Sequence, residues 1–179
     1  MLRSFVIAFA LVVPLGLSVL AGGAGAEEKR ASPHDEASAT IAGKKVTIRY
    51  GRPYKKGREI FGGLVPYGQV WRTGADEATT LTTETDLLIG TLKVPKGSYA
   101  LFTLPEKNQW TLVVNKTAKQ WGAFSYNPKD DLGRVPMKLG ATAASVEQFT
   151  IGLEPAGERK ATLKLSWDKL VASVALAAP

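Results

Sequence analysis

The chain has 179 residues, with 23 lysines and arginines against 16 acidic residues, no cysteine and one histidine. Without cysteine, a disulfide framework, a thiolate zinc site and a cysteine nucleophile are all excluded. The net charge of +7 favours anionic neighbours, whereas no run of lysine and arginine is long enough to predict a nucleic-acid-binding tail.

The first 26 residues have the pattern of a cleavable signal peptide. Arg3 is followed by an uncharged apolar stretch to Leu20, and small residues at 24–26 precede a charge cluster at 27–30. This stretch is shorter than the roughly 20 residues of a spanning helix. We therefore predict a signal-peptide helix over 1–26 that is removed on export and leaves no membrane span, so that the protein is periplasmic or secreted.

Residues 27–40 are charged or small, and they predict a flexible leader before a single β-rich domain over 41–179. From Val46 onward, apolar residues alternate with polar ones, or short apolar runs stand between turns, as in β-strands. The predicted strands are Val46–Tyr50, Ala78–Thr83, Leu87–Val94, Tyr99–Leu104, Trp110–Val114, Val146–Leu153, Ala161–Trp167 and Leu170–Leu176.

Turn residues predict how these strands connect. Pro95 and Gly97 predict a type I turn that pairs Leu87–Val94 with Tyr99–Leu104. A turn at 105–108 and a turn at 168–169 predict two further hairpins. With no long amphipathic helix, the pattern predicts an all-β fold: an antiparallel two-sheet sandwich, of which a jelly roll is one form, with a closed barrel as the alternative.

One segment, residues 50–79, is too rich in glycine and proline for regular structure and predicts a long loop of functional or core-covering type. It contains the motifs Lys56-Gly57-Arg58, Leu64-Val65-Pro66-Tyr67-Gly68 and Trp71-Arg72-Thr73-Gly74-Ala75. With Pro95-Lys96-Gly97-Ser98-Tyr99 and Gln120-Trp121-Gly122, these resemble the bacterial DUF2911 family over roughly residues 32–176. The resemblance implies an exported domain but no established activity, and one departure is Asp76, where the familiar form has asparagine.

Asp76 and Glu77 are the candidate catalytic residues, because a glycoside hydrolase needs two carboxylates. Adjacent strand residues point to opposite faces, so only one of them is expected to face a given cleft. The alternative is that one of them pairs with Arg58 or Arg72 and anchors the loop. Asp130 and Asp131 suggest either a calcium loop or, by preference, a polar turn.

Cationic and aromatic side chains provide the ligand-binding candidates. Arginine suits carboxylate and phosphate, and exposed aromatic rings suit sugars, whereas Trp71, Trp110 and Trp167 are expected in the core. The predicted contacts are Arg52, Arg58, Arg72, Trp121 and Tyr126.

The single histidine, His34, falls in the predicted leader, which argues against a Ser-His-Asp triad or a multi-histidine metal centre. No metal and no cofactor are predicted.

The favoured hypothesis is a non-catalytic extracytoplasmic domain that binds an anionic or carbohydrate ligand, or a partner protein. The alternative is a hydrolase acting on envelope or extracellular glycans with a carboxylate acid/base.

Overall fold

The computed structural model describes residues 31–179, which form an all-β domain. The predicted signal peptide and residues 27–30 of the predicted leader lie outside the described residues. No helix in the described part of the chain has the length and hydropathy needed to cross a membrane. The strands are β1 (His34–Ile41), β2 (Lys44–Gly51), β3 (Thr79–Thr83), β4 (Leu87–Ile89), β5 (Leu92–Val94), β6 (Gly97–Pro105), β7 (Trp110–Asn115), β8 (Asp131–Pro155) and β9 (Lys160–Ala177).

The nine strands make one antiparallel sheet in the order β1-β2-β3-β6-β7-β8-β9-β4-β5. Two separate sheets were predicted, but β8 runs through both parts: up to Met137 it pairs with β7, and from Lys138 it pairs with β9. The sheet also curls back on itself. Tyr50 of β2 exchanges hydrogen bonds with the backbone of Ile151 in β8, although three strands separate β2 from β8 in the sheet order.

Strand β1 corrects the prediction of a flexible leader over 27–40. Residues 34–41 pair with β2 along their whole length, and Ala39 and Ile41 are buried while their neighbours face solvent. The period-two pattern was hidden because its inward side chains are mostly alanine, which adds little hydrophobicity to a stretch of charged residues.

Two of the predicted hairpins are wrong. Leu87–Val94 is itself a small hairpin, β4–β5, which turns at Gly90 with φ +56°, and β6 pairs with β3 and β7 instead. Residues 168–169 do not turn the chain: Asp168 has φ +51° inside the continuous strand β9. The hairpin across 105–108 is confirmed by the pairing of β6 with β7.

Aromatic rings fill the core where the sheet curls. Trp110 and Trp167 are 1% exposed and Trp71 is 9% exposed, so the expectation that these three side chains are buried is confirmed. Trp71 stacks on Trp167 with ring centroids 5.9 Å apart, and it meets Phe149 edge-on at 5.0 Å. Since Trp71 belongs to the segment between β2 and β3, that segment is part of the core.

Candidate functional site

Strands β2 and β3 are connected by residues 52–78, the 52–78 loop. As predicted, the loop contains no extended regular structure, only isolated bridges. Where β8 leaves its ladder with β9, between Val146 and Thr150, its backbone bonds to the loop instead: Lys55 N donates to Glu147 O at 2.7 Å and Phe149 N donates to Pro53 O at 2.9 Å. The loop is thereby fixed against the sheet.

A cavity of about 370 Å³ lies between this loop and the aromatic core. Among the described residues, its polar lining carries three cations and one carboxylate, and its apolar lining includes tryptophan and tyrosine rings. The lining includes the side chains of Tyr54, Lys56, Arg58, Trp71, Arg72, Asp76 and Trp167. The cavity therefore combines charged side chains with aromatic surface.

A buried hydrogen-bond network shapes the wall of the cavity around residues 71–76. Thr73 is fully buried with φ +57°, and its hydroxyl bonds to Thr103 at 3.2 Å. Thr79 donates its hydroxyl to Thr73 O at 2.7 Å, and the Trp71 indole donates to Gly74 O at 3.1 Å. A non-glycine residue in the left-handed region costs about 1 kcal/mol or more, so the network holds a conformation that the chain would not adopt by itself.

Two polar atoms in this wall have no hydrogen-bond partner within residues 31–179. Arg72 Nε is a buried donor and Asp76 Oδ2 a buried acceptor, and both residues line the cavity. Buried polar atoms in folded proteins are nearly always paired with protein, water or ligand. Within the described residues, neither Arg58 nor Arg72 forms an ion pair with Asp76, and Glu77 lies 2.8 Å from His34.

Arg58 and Lys56 bring two more positive charges to the cavity. The Arg58 guanidinium donates to the carbonyls of Tyr54 and Lys55, which orients it over the loop. Lys56 has φ +47°, and its backbone N donates to Glu147 Oε1 at 2.8 Å. The loop backbone thus fixes both cationic residues in the lining of the cavity.

Asp76 and Glu77 approach each other, yet only Asp76 lines the 370 Å³ cavity, which agrees with the expectation that one of them faces a given cleft. Asp76 has φ +61°, which breaks the alternation of an extended strand, and the two carboxylates lie within 4.8 Å of each other and of the imidazole of His34. His34 Nε2 is 2.8 Å from Glu77 Oε2. The sequence pattern assigned His34 to the flexible leader. The weak alternation of apolar and polar residues in β1 is the signal that would have assigned it to a strand. Glu77 lines a separate shallow pocket beside Trp121, not the 370 Å³ cavity.

Arg52 and Tyr126, two of the predicted ligand contacts, lie outside the cavity lining and have their own partners. Arg52 donates to Asp35 at 2.9 Å, to Thr150 at 2.9 Å and to Phe149 O at 3.1 Å. Its guanidinium therefore ties β1 to β8.

The ring of Tyr126 packs edge-on against Phe102 at 4.9 Å, and its hydroxyl bonds to Asp131 at 2.8 Å. Burial raises the pKa of the Tyr126 hydroxyl, and the adjacent carboxylate adds to that effect. Asp131 also pairs with Arg134 at 2.9 Å, and Pro128–Asp130 form a short 3₁₀ turn, as the polar-turn interpretation predicts.

Trp121 is 60% exposed, in accordance with its predicted position on the surface, and Phe124 is 90% exposed. The backbone on both sides of Trp121 holds the end of the 52–78 loop: Ala78 N donates to Gln120 O and Gly122 N donates to Asp76 O, both at 3.0 Å. Trp121 is thus a neighbour of the carboxylate pair.

Fold and site together define an all-β domain in which a long, glycine-rich loop and the aromatic core enclose a cationic cavity. Over residues 32–176 the chain matches the sequence model of the family described as "Protein of unknown function (DUF2911)", and it belongs to that family. No curated protein and no solved structure shows significant similarity to the chain.

Proposed function

We propose that the protein is a non-catalytic binding domain for a small anionic ligand with an apolar or sugar-ring face. The observation that carries this proposal is that Arg72 and Asp76, which both line the 370 Å³ cavity, each keep a buried polar atom, Nε and Oδ2, without a hydrogen-bond partner among residues 31–179. An anionic group of a ligand would pair with the Arg72 guanidinium, and a ligand hydroxyl would donate to the Asp76 carboxylate. An anionic sugar such as a uronic acid has this combination.

The surroundings fit this ligand class. Lys56 and Arg58 add positive charge to a cavity whose lining, over residues 31–179, contains one carboxylate, so an anion is favoured there over a neutral or cationic molecule. Trp71 and Tyr54 contribute aromatic surface against which a sugar ring can pack. Asp76 would then accept a hydrogen bond from a sugar hydroxyl.

The setting of the domain is part of the proposal. The signal-peptide pattern of residues 1–26 supports an exported protein, periplasmic or secreted. We interpret the curled nine-stranded sheet as the two layers of a sandwich, since β2 and β8 meet across the core through Tyr50 and Ile151. The cavity then lies where the 52–78 loop covers the aromatic core.

A hydrolase that acts on glycans is the second candidate. It is favoured by one observation, the separation of less than 4.8 Å between carboxylate oxygens of Asp76 and Glu77, which is near the spacing of retaining glycosidases. It is disfavoured by the lining of the cavity, which includes Asp76 but not Glu77. Hydrolysis of a reducing-end chromogenic glycoside that is abolished by Glu77→Gln would establish it.

Calorimetric titration with galacturonate tests the binding proposal, with galactose as the uncharged counterpart and phosphate as an anion without a ring. We expect galacturonate to bind and galactose not to bind. Lys56→Met should weaken binding about threefold, the effect of one exposed charge. Lys45→Met is the matched control, because Lys45 pairs with Glu36 away from the cavity. Absence of binding by both anions would refute the proposal and leave a protein partner as the ligand.

A further inference from the structure

Three metal-ligating side chains meet at the edge of the cavity, from two distant parts of the chain. One donor atom each of His34, Asp76 and Glu77 lies within 4.8 Å of the other two. His34 begins β1, whereas Asp76 and Glu77 end the 52–78 loop. Two of the possible ligand atoms, His34 Nε2 and Glu77 Oε2, are 2.8 Å apart.

The two chain segments are fixed relative to each other at Gly51. His34 is paired with Gly51 in the β1–β2 register, and Arg52 N donates to Pro33 O at 2.8 Å. On the loop side, the backbone packs so closely that a Cβ on Gly51 would lie 2.4 Å from Ala75 O. The histidine and the carboxylates are therefore brought together by backbone contacts and not only by side-chain flexibility.

Asp76 supplies an independent indication of a ligand. Its φ of +61° places it in the left-handed region, which aspartate adopts at some cost, and this conformation brings its carboxylate to the same side as that of Glu77. Asp76 Oδ2 is buried without a hydrogen-bond partner in the described chain. A buried carboxylate oxygen in this state is satisfied most directly by a cation.

We propose that His34, Asp76 and Glu77 bind a divalent transition-metal ion, with Zn²⁺ as the best match. One imidazole nitrogen and two carboxylate oxygens suit Zn²⁺, whereas Mg²⁺ and Ca²⁺ prefer oxygen ligands alone. Metal–ligand distances of about 2.1 Å put neighbouring donors about 3.4 Å apart in a tetrahedral site. To reach that spacing, the His34 and Glu77 atoms, now 2.8 Å apart, would separate by about 0.6 Å, and a pair at the 4.8 Å limit would approach by about 1.4 Å; side-chain rotations provide such movements.

The site goes beyond the proposed anion-binding function and does not depend on it. Asp76 lines both the cavity and the three-residue cluster, so a bound ion would lie at the cavity edge. Three protein ligands leave a coordination position for water or for an anionic group in the cavity. Zinc binding without galacturonate, and galacturonate binding after treatment with chelator, distinguish the two proposals.

The composition of the chain makes the test unusually direct. It has one histidine and no cysteine, so no second imidazole and no thiolate can compete for zinc. Protein made without a histidine tag and treated with EDTA is titrated with ZnCl₂ by calorimetry, while the ring signals of the single histidine are followed by NMR. We expect one zinc per chain and a change in the ring signals, with no change on adding MgCl₂ or CaCl₂.

Variants complete the test. His34→Asn and Glu77→Gln should each lower zinc affinity at least about tenfold. Removing a residue that only hydrogen-bonds to a metal ligand already lowers metal affinity by about tenfold or more, and removing the ligand itself costs no less. Glu36→Gln is the matched control, since this β1 carboxylate pairs with Arg49 and Lys45 instead. No zinc binding up to about 1 mM, an unchanged ring signal, or full affinity in either ligand variant would overturn the site.

Discussion

The variant Arg72→Met tests whether Arg72 binds a ligand or stabilises the fold. Methionine keeps much of the aliphatic stem and removes the guanidinium, whose Nε is buried without a hydrogen-bond partner within residues 31–179. An unsatisfied buried donor costs about 1–3 kcal/mol. We therefore expect the free energy of unfolding of Arg72→Met to stay unchanged or to rise by about 1 kcal/mol.

Binding should change in the opposite direction. A hydrogen bond from a charged donor contributes about 1.5–3 kcal/mol, which corresponds to a loss of roughly 10- to 150-fold in galacturonate affinity. Urea denaturation followed by tryptophan fluorescence gives the stability, and calorimetry gives the affinity. A variant that is destabilised by more than about 2 kcal/mol but binds galacturonate normally would refute the reasoning.

Arg52→Met is the matched comparison. The Arg52 guanidinium makes three hydrogen bonds, to Asp35, Thr150 and Phe149 O, and it is 25% exposed. Its removal leaves a partly buried carbonyl without this donor, so we expect a loss of about 1–3 kcal/mol in stability. Because Arg52 is not part of the cavity lining, galacturonate affinity should not change.

Three further variants test the architecture around the site by urea denaturation. Gly51→Ala places a Cβ 2.4 Å from Ala75 O, so we expect a loss of about 1–3 kcal/mol; wild-type stability would contradict this packing. Lys55 Nζ donates to Asp168 at 2.6 Å, and this hydrogen bond is the main cause of the lowered pKa of the Asp168 carboxyl. The ion pair therefore stabilises the fold above the carboxyl's unfolded pKa of about 3.9, and this stabilisation is lost as the pH falls. Lys55→Met should therefore lose about 0.5–1 kcal/mol at pH 7 and less at pH 3, and a pH-independent loss would argue against it. Trp121→Ala should change stability by no more than about 0.5 kcal/mol, because the ring is 60% exposed, and a larger loss would show a structural role.

Much of the sheet could be predicted because alternation marks strands that are buried on one face. Residues 46–50 are an example and lie in an observed strand. The short apolar run at 110–114 also lies in an observed strand, which is buried on both faces. Strand β1 was not predicted because most of its inward-facing side chains are alanine, which gives only a weak alternation of hydrophobicity. The hairpin expected at 95–97 was wrong because Pro95 and Gly97 also suit a connection between strands that do not pair, and only long-range contacts decide the partner.

The loop could be recognised from its glycines and prolines, but the positions of its side chains could not. The orientation of Asp76 depends on a left-handed backbone conformation that aspartate adopts only occasionally, at a residue whose carbonyl accepts a hydrogen bond from the distant Gly122 N. Likewise, Arg52 and Arg72 have the same side chain, and the sequence offers nothing to distinguish them. Only the fold places Arg52 between β1 and β8 and Arg72 in the wall of a cavity.

The most direct test of the binding site is an NMR titration with galacturonate that follows the indole signals of the four tryptophans. Trp71 and Trp167 line the cavity, whereas Trp121 lies outside its lining. We expect the signals of Trp71 and Trp167 to move with a single saturating curve while that of Trp121 stays in place. Movement of Trp121 alone, or no movement of any indole signal, would contradict a ligand site in the cavity.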